Sequence, residues 1–511
     1  MRVKPLLSPA RRAGLPFPSI DLDGLLADQP PGPDRQLVSE PDAETVQQAE
    51  LLLRRTSFGP TRALVTAAAR VSPRRWLESQ LSPETLPDPQ GDALVARFPG
   101  LTWSISQVRT EVELGRVGPD LPVQWLGQAT VARAAWSRRQ LLEVMVDLWS
   151  NHFNVPNDGS GWDSRMNYDT TVRSFALGRF ADLLVGVSTH PAMLRYLATD
   201  SSTAGSPNEH HGRELLELHT IGPDADVTEA EVLSSARILT GLSLDRRTGE
   251  LVYRPDRRFV GAVQVQGFTH PNGSAEAGFE VVVDYLQWLA RRPQTARRVA
   301  RLLAVRFVDD RPAAPFVDRL AKIYLDNDTE LVPVLRALFA SPEFDASRGT
   351  LIRRPMDDLL AAVRVLGVQP DPTGSQGIGG LYWALDALGQ APLSCPRPAG
   401  HSARGSDWMS CAGLVARWNA HLGLAGGWWP VGLRYPGWRA LLPGDLPSSY
   451  ATVVDALSAA VLLRPPTGPE RAACCAAIGR SPTAVPTAPS LATDAPQLIA
   501  LLLDSPAHCL T

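Results

Sequence analysis

The residues best equipped for chemistry are crowded into SPNEHHGRELLELHTIG, from Ser206 to Gly222. Ser206, Pro207 and Glu209 read as a helix start: a capping hydroxyl, a proline in the first turn and a glutamate three residues after the cap. Inside that helix His210, Arg213, Glu214 and Glu217 share one face, at offsets of three, four and seven residues. Leu215, Leu216, Leu218 and Ile221 supply the apolar side, and His219 and Gly222 close the helix, where a partly charged imidazole suits the dipole. Carboxylates and imidazoles within a few turns can hold a divalent metal or divide acid and base roles. The same face can equally be an ion-pair network, with Arg213 bridging Glu209 and Glu217. The spacing matches no metal signature, so both readings stand.

A second cluster, WSNHFNVPND from Trp149 to Asp158, ends an amphipathic helix and is followed by GWDSRMNYD, Gly161 to Asp169. The helix bearing Glu209, Arg213, Glu214 and Glu217 is predicted to pack on the segment bearing His152, so that their polar groups meet in a partly buried pocket. In that pocket Glu214 or Glu217 is the expected base or ligand, His219 or His152 the imidazole, and Arg213 the anion clamp or orienting group. Asp169, Asn208 and His270, the last on the turn FTHPNG, are further candidates, although a lone histidine on a turn is ordinarily surface or packing. If a divalent metal binds, His152, Glu209, Glu214 and His219 are the expected ligands. The chemistry such a pocket suits is metal-assisted or acid–base hydrolysis. Two other functions fit the same residues: a non-catalytic scaffold locked by buried ion pairs, and a small-molecule binder using GGWWPVGLRYPGW, Gly426 to Trp438, as an aromatic wall.

Standard signatures are absent: no H-E-x-x-H, no P-loop and no G-x-S-x-G occur. Gly377-Ile378-Gly379-Gly380 precedes a helix but follows proline-rich loop, not a strand, so it is a poor dinucleotide site. Asp326, Asp328 and Glu330 lack the glycine and the last glutamate of a calcium loop and read as a solvated turn.

Helical periodicity dominates the elements that must position these groups. AETVQQAELLLRRTSFGPTRALVTAAARV is two helices split at Gly59-Pro60, and VARAAWSRRQLLEVMVDLWSNHF, VVVDYLQWLARRPQTARRVARLLAVRFV and PFVDRLAKIYLDNDTELVPVLRALFASPEF all carry apolar residues at threes and fours. The convincing strand candidates are short, LVYRP and AVQVQGF. The expected fold class is mainly α: a multi-helix globular fold with few short strands. Residues 1–42 are expected as an extended arm, 43–365 as a helical core, and 366–511 as a loop-rich C-terminal lobe packed on it, with loops near 366–381, 391–408, 426–449 and 481–496.

Length and composition agree. The 511 residues, 44% apolar and 20% charged, suffice for a sizeable core. Fifty basic against 53 acidic residues, a net charge of −3, leave no footprint for nucleic acid. Lys4 and Lys322 are the only lysines, so the arginine excess reads as GC-rich coding, not as phosphate binding. No apolar run is long enough to span a membrane, and Pro5, Ser8, Arg11, Arg12 and Pro16 interrupt any secretory signal, which places the protein in the cytoplasm. Five cysteines without C-x-x-C spacing do not make a disulfide scaffold, and vicinal Cys474-Cys475 reads as small packing residues.

In chain order, LRRTSFGPT (Leu53 to Thr61), WSNHF (Trp149 to Phe153), NYDTTVRSFALGRF (Asn167 to Phe180), HPAML (His190 to Leu194), PNEHHGRELLELHTIG (Pro207 to Gly222) and ARILTG (Ala236 to Gly241) resemble the signature blocks of the bacterial domain of unknown function 1800 family. RPQTAR (Arg292 to Arg297), RFVDD (Arg306 to Asp310), LRALFASPEF (Leu335 to Phe344) and LLLDSP (Leu501 to Pro506) extend the likeness over roughly residues 45 to 508. The resemblance implies a largely helical fold and no particular reaction. It also implies a partner by association, since relatives are often encoded beside the domain of unknown function 1501 family, which resembles sulfatases and phosphatases. Many relatives carry export signals. This chain departs from the family pattern at Leu51, usually His, at His401, usually Trp after glycine, and at His210 and His211. No role of the family's early histidine carries over.

Overall fold

The amphipathic pattern becomes helix from the first described turns onward. Ala43–Thr56 begins at Asp42, whose carboxylate accepts from Thr45 N, and ends just before Gly59. The computed structural model describes residues 41–158 and 161–511; nearly all of the arm expected over 1–42, and the reading of its first residues, lies outside them. The fold is mainly α. Among the described residues the sheets are two antiparallel pairs, Leu242–Leu244 with Leu251–Tyr253 and Val263–Val265 with Phe268–His270. Both expected strand segments form. Leu242–Leu244 is too short to show alternation in sequence, and Phe268–His270, read as a turn, is the return strand of its hairpin.

Three local expectations change. VARAAWSRRQLLEVMVDLWSNHF is interrupted: Asp120–Trp136 ends and Gln140–His152 begins. Between them Ser137 Oγ accepts from Arg139 N, and Gln140 Nε2 donates to the freed carbonyls of Ala134 and Ser137. Residues 366–511 hold more helix than expected. Gly377 to Gly380 fall in the first turns of Gln376–Ala387, whose start is fixed by the Asp371 carboxylate accepting from Gly377 N and Ile378 N. Ala488–Leu503 runs through Pro496, a residue assigned to loop from sequence.

The third change concerns the Ser206 to Gly222 run. Ser206 pairs with Thr203 in a β-bridge and does not cap. Asn208 caps instead, accepting from His210 N at 2.9 Å while its amide donates to Leu197 O and Ala198 O. Glu209 is thus the first helical residue, not the partner in a capping box. The α-helix runs Glu209–Glu214 and then widens into a π-helical turn, Leu215–His219. Asn208→Ala is expected to cost about 1–2 kcal/mol in denaturant unfolding, and Ser206→Ala close to nothing. Equal effects would refute this assignment.

A continuous hydrophobic cluster extends from Ala49 to Leu503 and includes residues on both sides of position 365. Buried ion pairs cross it. Arg173 joins Glu143 at 2.7 Å and Asp169 at 2.8 Å, and Arg109 and Arg195 both hold the fully buried Asp163. Two glycines set the backbone approaches that matter below. Gly59, at φ +136°, lies where a Cβ would stand 2.6 Å from Ala361 Cα, so the turn after Arg54-Arg55 rests directly on the Pro355–Val365 helix. Gly400, at φ +71°, lies where a Cβ would fall on the Asn151 carbonyl oxygen. The Asn151 side chain donates to His401 O at 2.9 Å and accepts from His401 N at 2.7 Å, which fastens the 400–408 loop to the end of Gln140–His152.

Candidate functional site

His152 and His219 meet: His152 Nε2 lies 3.0 Å from the His219 carbonyl oxygen, and the rings are 6.2 Å apart. Both are buried. Burial, aided by the Arg298 charge, brings His152 down to about 3, and burial with the neighbouring histidines puts His219 well below its ordinary value, so both rings are neutral at pH 7. His219 Nδ1 has no hydrogen-bond partner. Glu214 is half-buried, 3.7 Å from His210 Nε2, and burial raises its carboxyl.

The other expected residues go elsewhere. Arg213 pairs with Glu229 at 2.6 Å and Glu217 at 3.4 Å, near the surface, and does not reach for Glu209, which is exposed. Asp169 belongs to the Arg173 network, Asn208 is a helix cap, and His270 Nδ1 accepts from Asn272 N to close its hairpin. The proposed metal set of His152, Glu209, Glu214 and His219 is not gathered. Glu209 faces solvent from the first turn, and His152 Nε2 is spent on a carbonyl.

Among the described residues the three ligand-type side chains whose atoms do come within 4.8 Å of one another are Asp358, His421 and His508. All three are buried where Pro355–Val365, Cys411–Gly426, Ala488–Leu503 and Pro506–Cys509 meet. His421 sits between Asp504, at 2.8 Å from Nδ1, and Asp358, at 3.2 Å from Nε2, the latter an ion pair off the hydrogen-bond axis. Burial works against its charge, yet the two carboxylates hold its pKa up at about 9. Asp358, despite burial, is held well below the carboxylate range by His421, His508 and Arg417. Arg353 Nη1 lies 2.9 Å from His508 Nδ1 and 3.1 Å from its Nε2, and that Nε2 stands 3.5 Å from Asp358. Two guanidinium cations already serve the cluster, Arg353 against the His508 ring and Arg417 at 3.9 Å from the Asp358 carboxylate. The cluster is a charge-compensated lock between four helices rather than a cation site. A chelator is therefore expected to leave the melting temperature unchanged; a drop reversed by added zinc would show a bound metal.

The open polar feature lies beside this lock. A cleft is lined by Arg54 and Arg55 from the end of Ala43–Thr56, Arg306 from Pro293–Phe307, and Arg353 and Arg354 from the start of Pro355–Val365, with Asp310 and Asp357 as its lining carboxylates. Each carboxylate is already committed. Asp357 bridges Arg306 and Arg354, at 2.9 Å each, and Asp310 accepts from the Gly405 and Ser406 amides of the 400–408 loop. Arg55, 2% exposed, donates to Ser347 O and the Thr511 hydroxyl; no carboxylate of the described residues lies within 4.0 Å of it, and its Nε is unpartnered. Burial first, then the charges of Arg306, Arg54 and Arg353, bring it down to about 9, still a cation at neutral pH. Burial and Arg54 likewise lower Arg353 to about 10. The cavity measures about 30 Å³, space for roughly two waters at ~10–15 Å³ each and so for two oxygens of one compact anion, a carboxylate or one edge of a tetrahedral oxyanion. Across Arg354 lies a smaller cavity of about 20 Å³, where Ser150 Oγ and His401 Nε2 have no partner.

Sequence reasoning passed over these arginines as composition, and the structure gathers five of them around one cleft. One signal was available. Arg353-Arg354 immediately precedes Pro355, the first residue of a helix, and cations at the positive end of a helix dipole are misplaced unless anions join them. Asp357 and Asp358 in the first turn answer part of that demand.

The family model described as protein of unknown function, DUF1800, matches residues 51–510. No curated protein and no solved structure matches the chain. LRRTSFGPT, WSNHF and RFVDD, three of the blocks that carry the resemblance, converge on the cleft and its neighbouring cavity. No helix of the described residues is long and apolar enough to cross a membrane.

Proposed function

The chain belongs to the DUF1800 family, and we propose that it binds a ligand through a compact oxyanion, a carboxylate, sulfate or phosphate group, seated in the arginine cleft. The observation that carries this reading is Arg55: a buried guanidinium among like charges that only Asp309 opposes, with donors to spare and no carboxylate of the described residues within 4.0 Å. Unpaired buried charge is costly, and fork-shaped guanidinium donors match oxyanion geometry. Thermal unfolding in phosphate, sulfate or acetate against chloride at equal ionic strength tests it. The expected result is a saturable rise in melting temperature with the oxyanions. A response that merely follows ionic strength would refute binding.

Acid–base hydrolysis by the Glu209–His219 helix is the second reading. The raised Glu214 carboxyl, the unpartnered His219 Nδ1 and the π-helical turn, a feature frequent at functional sites, favour it. Arg298 supports this region, since its Nε donates to Leu218 O within that turn at 3.0 Å and its charge acts on both imidazoles. On this reading Glu214→Gln removes ester hydrolysis and leaves oxyanion affinity at the cleft intact. An unchanged rate would rule Glu214 out as the base. The associated family of unknown function 1501 remains an expected partner by genomic association, with no surface assigned to it.

A further inference from the structure

A second, more open cavity of about 280 Å³ adjoins the cleft, lined by Arg298, Arg301, Leu302 and Val305 of Pro293–Phe307 and by Ser402, Ala403, Arg404 and Asp407 of the 400–408 loop. Val305 and Ala403 line both cavities. One helix stripe therefore serves the two. Arg298, Arg301, Leu302, Val305 and Arg306 follow at offsets of three, four, seven and eight residues, which puts them on a single face. Along that face the basic groups come at the two ends and the apolar ones in the middle. Eight residues at 1.5 Å rise separate the ends by about 12 Å.

The basic groups at the far end have little to neutralise them. Arg298 spends its Nε on Leu218 O, and burial lowers its pKa with only Asp224 opposing. Arg301 and Arg404 are exposed, and among the described residues neither guanidinium has a carboxylate within 4.0 Å. Asp407, the one acid in this lining, takes the Ser402 hydroxyl.

We propose that the ligand of this protein is an elongated organic diacid: one acidic group at Arg55 and Arg353, an apolar body across Val305, Leu302 and Ala403, and a second acidic group among Arg298, Arg301 and Arg404. This deepens the oxyanion reading and rests on it. The cleft at Arg55 is too small for more than an anionic head, whereas the adjoining cavity is wide enough for a body. The charge pattern then requires an acid at each end, which excludes a simple fatty acid as the best ligand. It also distinguishes the site from a polyanion track, which would have no use for an apolar middle.

Calorimetric titration with acetate, phosphate, sulfate, succinate, sebacate and decanoate tests the proposal. Sebacate is expected to bind at least ten-fold tighter than succinate, which is too short, and than decanoate, which has one acid. In the double variant Arg301→Gln/Arg404→Gln, both exposed positions, sebacate should fall to the decanoate level while acetate still binds at the Arg55 cleft. If acetate binds and sebacate gains nothing over it, the diacid is wrong and the oxyanion reading stands. If acetate, phosphate and sulfate all fail to bind, both are wrong. If sebacate binds tightly but the double variant does not weaken it, the second acidic group does not sit at these arginines, and the proposal is overturned.

Discussion

Asp358→Asn is expected to destabilise the protein by about 3–5 kcal/mol, the cost of removing one partner from a buried ion pair. The substitution leaves His421 between one carboxylate and an amide, and Arg417 without its acid. Its pH signature is as informative as its size. His421 is raised from its ordinary 6.5 to about 9 in the folded state, so its stabilising contribution is complete below pH 6.5 and is lost as pH climbs through 9. Asp358 is lowered, so its contribution is complete above about 3.8, its ordinary value, and is lost as pH falls below it. Chemical unfolding of the native chain should therefore weaken at both ends of that range. The Asn variant should lose most of the decline between pH 6.5 and 9. An unchanged alkaline decline in the variant would show that His421 is not the titrating group.

Arg55→Gln is expected to remove the oxyanion response. Hydrogen bonds to charged groups contribute about 1.5–3 kcal/mol each, so losing one or two should weaken binding by about 10- to 100-fold or more. A ligand held at a hundred times its dissociation constant stabilises the fold by about 2.7 kcal/mol, an increment the variant should lose. Arg55→Lys keeps the charge but not the fork, and should recover part of the affinity only. A variant that melts lower than the native chain by the same amount with and without phosphate would give Arg55 a purely structural role through Ser347 and Thr511.

How much of this was legible in sequence depends on how local the cause is. The helix period, the Gly59-Pro60 break and the two short strand segments are properties of neighbouring residues, and they read correctly. The cap at Asn208 did not, because Ser206 is withdrawn by its bridge to Thr203, a pairing no helix-start pattern contains. The crowded face of Glu209 to Glu217 looked like a site because its residues lie close in sequence. In the fold Arg213 turns to Glu229, beyond the run, and Glu209 to solvent. Conversely, Arg55, Arg306 and Arg353 are about 250 and 50 residues apart in the chain and carry no common motif. Their meeting depends on Gly59 allowing one turn to lie on Pro355–Val365. The Asp358, His421 and His508 lock escaped for the same reason, since each residue is isolated in its own helix. His152 and His219, singled out from sequence, do meet through the His219 carbonyl, but His219 is a buried neutral ring and not the partly charged helix end expected, and a chemical role for the pair belongs to the second reading.

Where an oxyanion binds is the most direct test of the cleft. Crystals soaked in selenate, a heavy analogue of sulfate, would locate it by the anomalous signal of selenium. The expected result is a peak within hydrogen-bonding distance of Arg55 and Arg353, under the 400–408 loop, that vanishes on competition with phosphate. Selenate bound only at exposed arginines, with the cleft holding water alone, would contradict the oxyanion site and the function built on it.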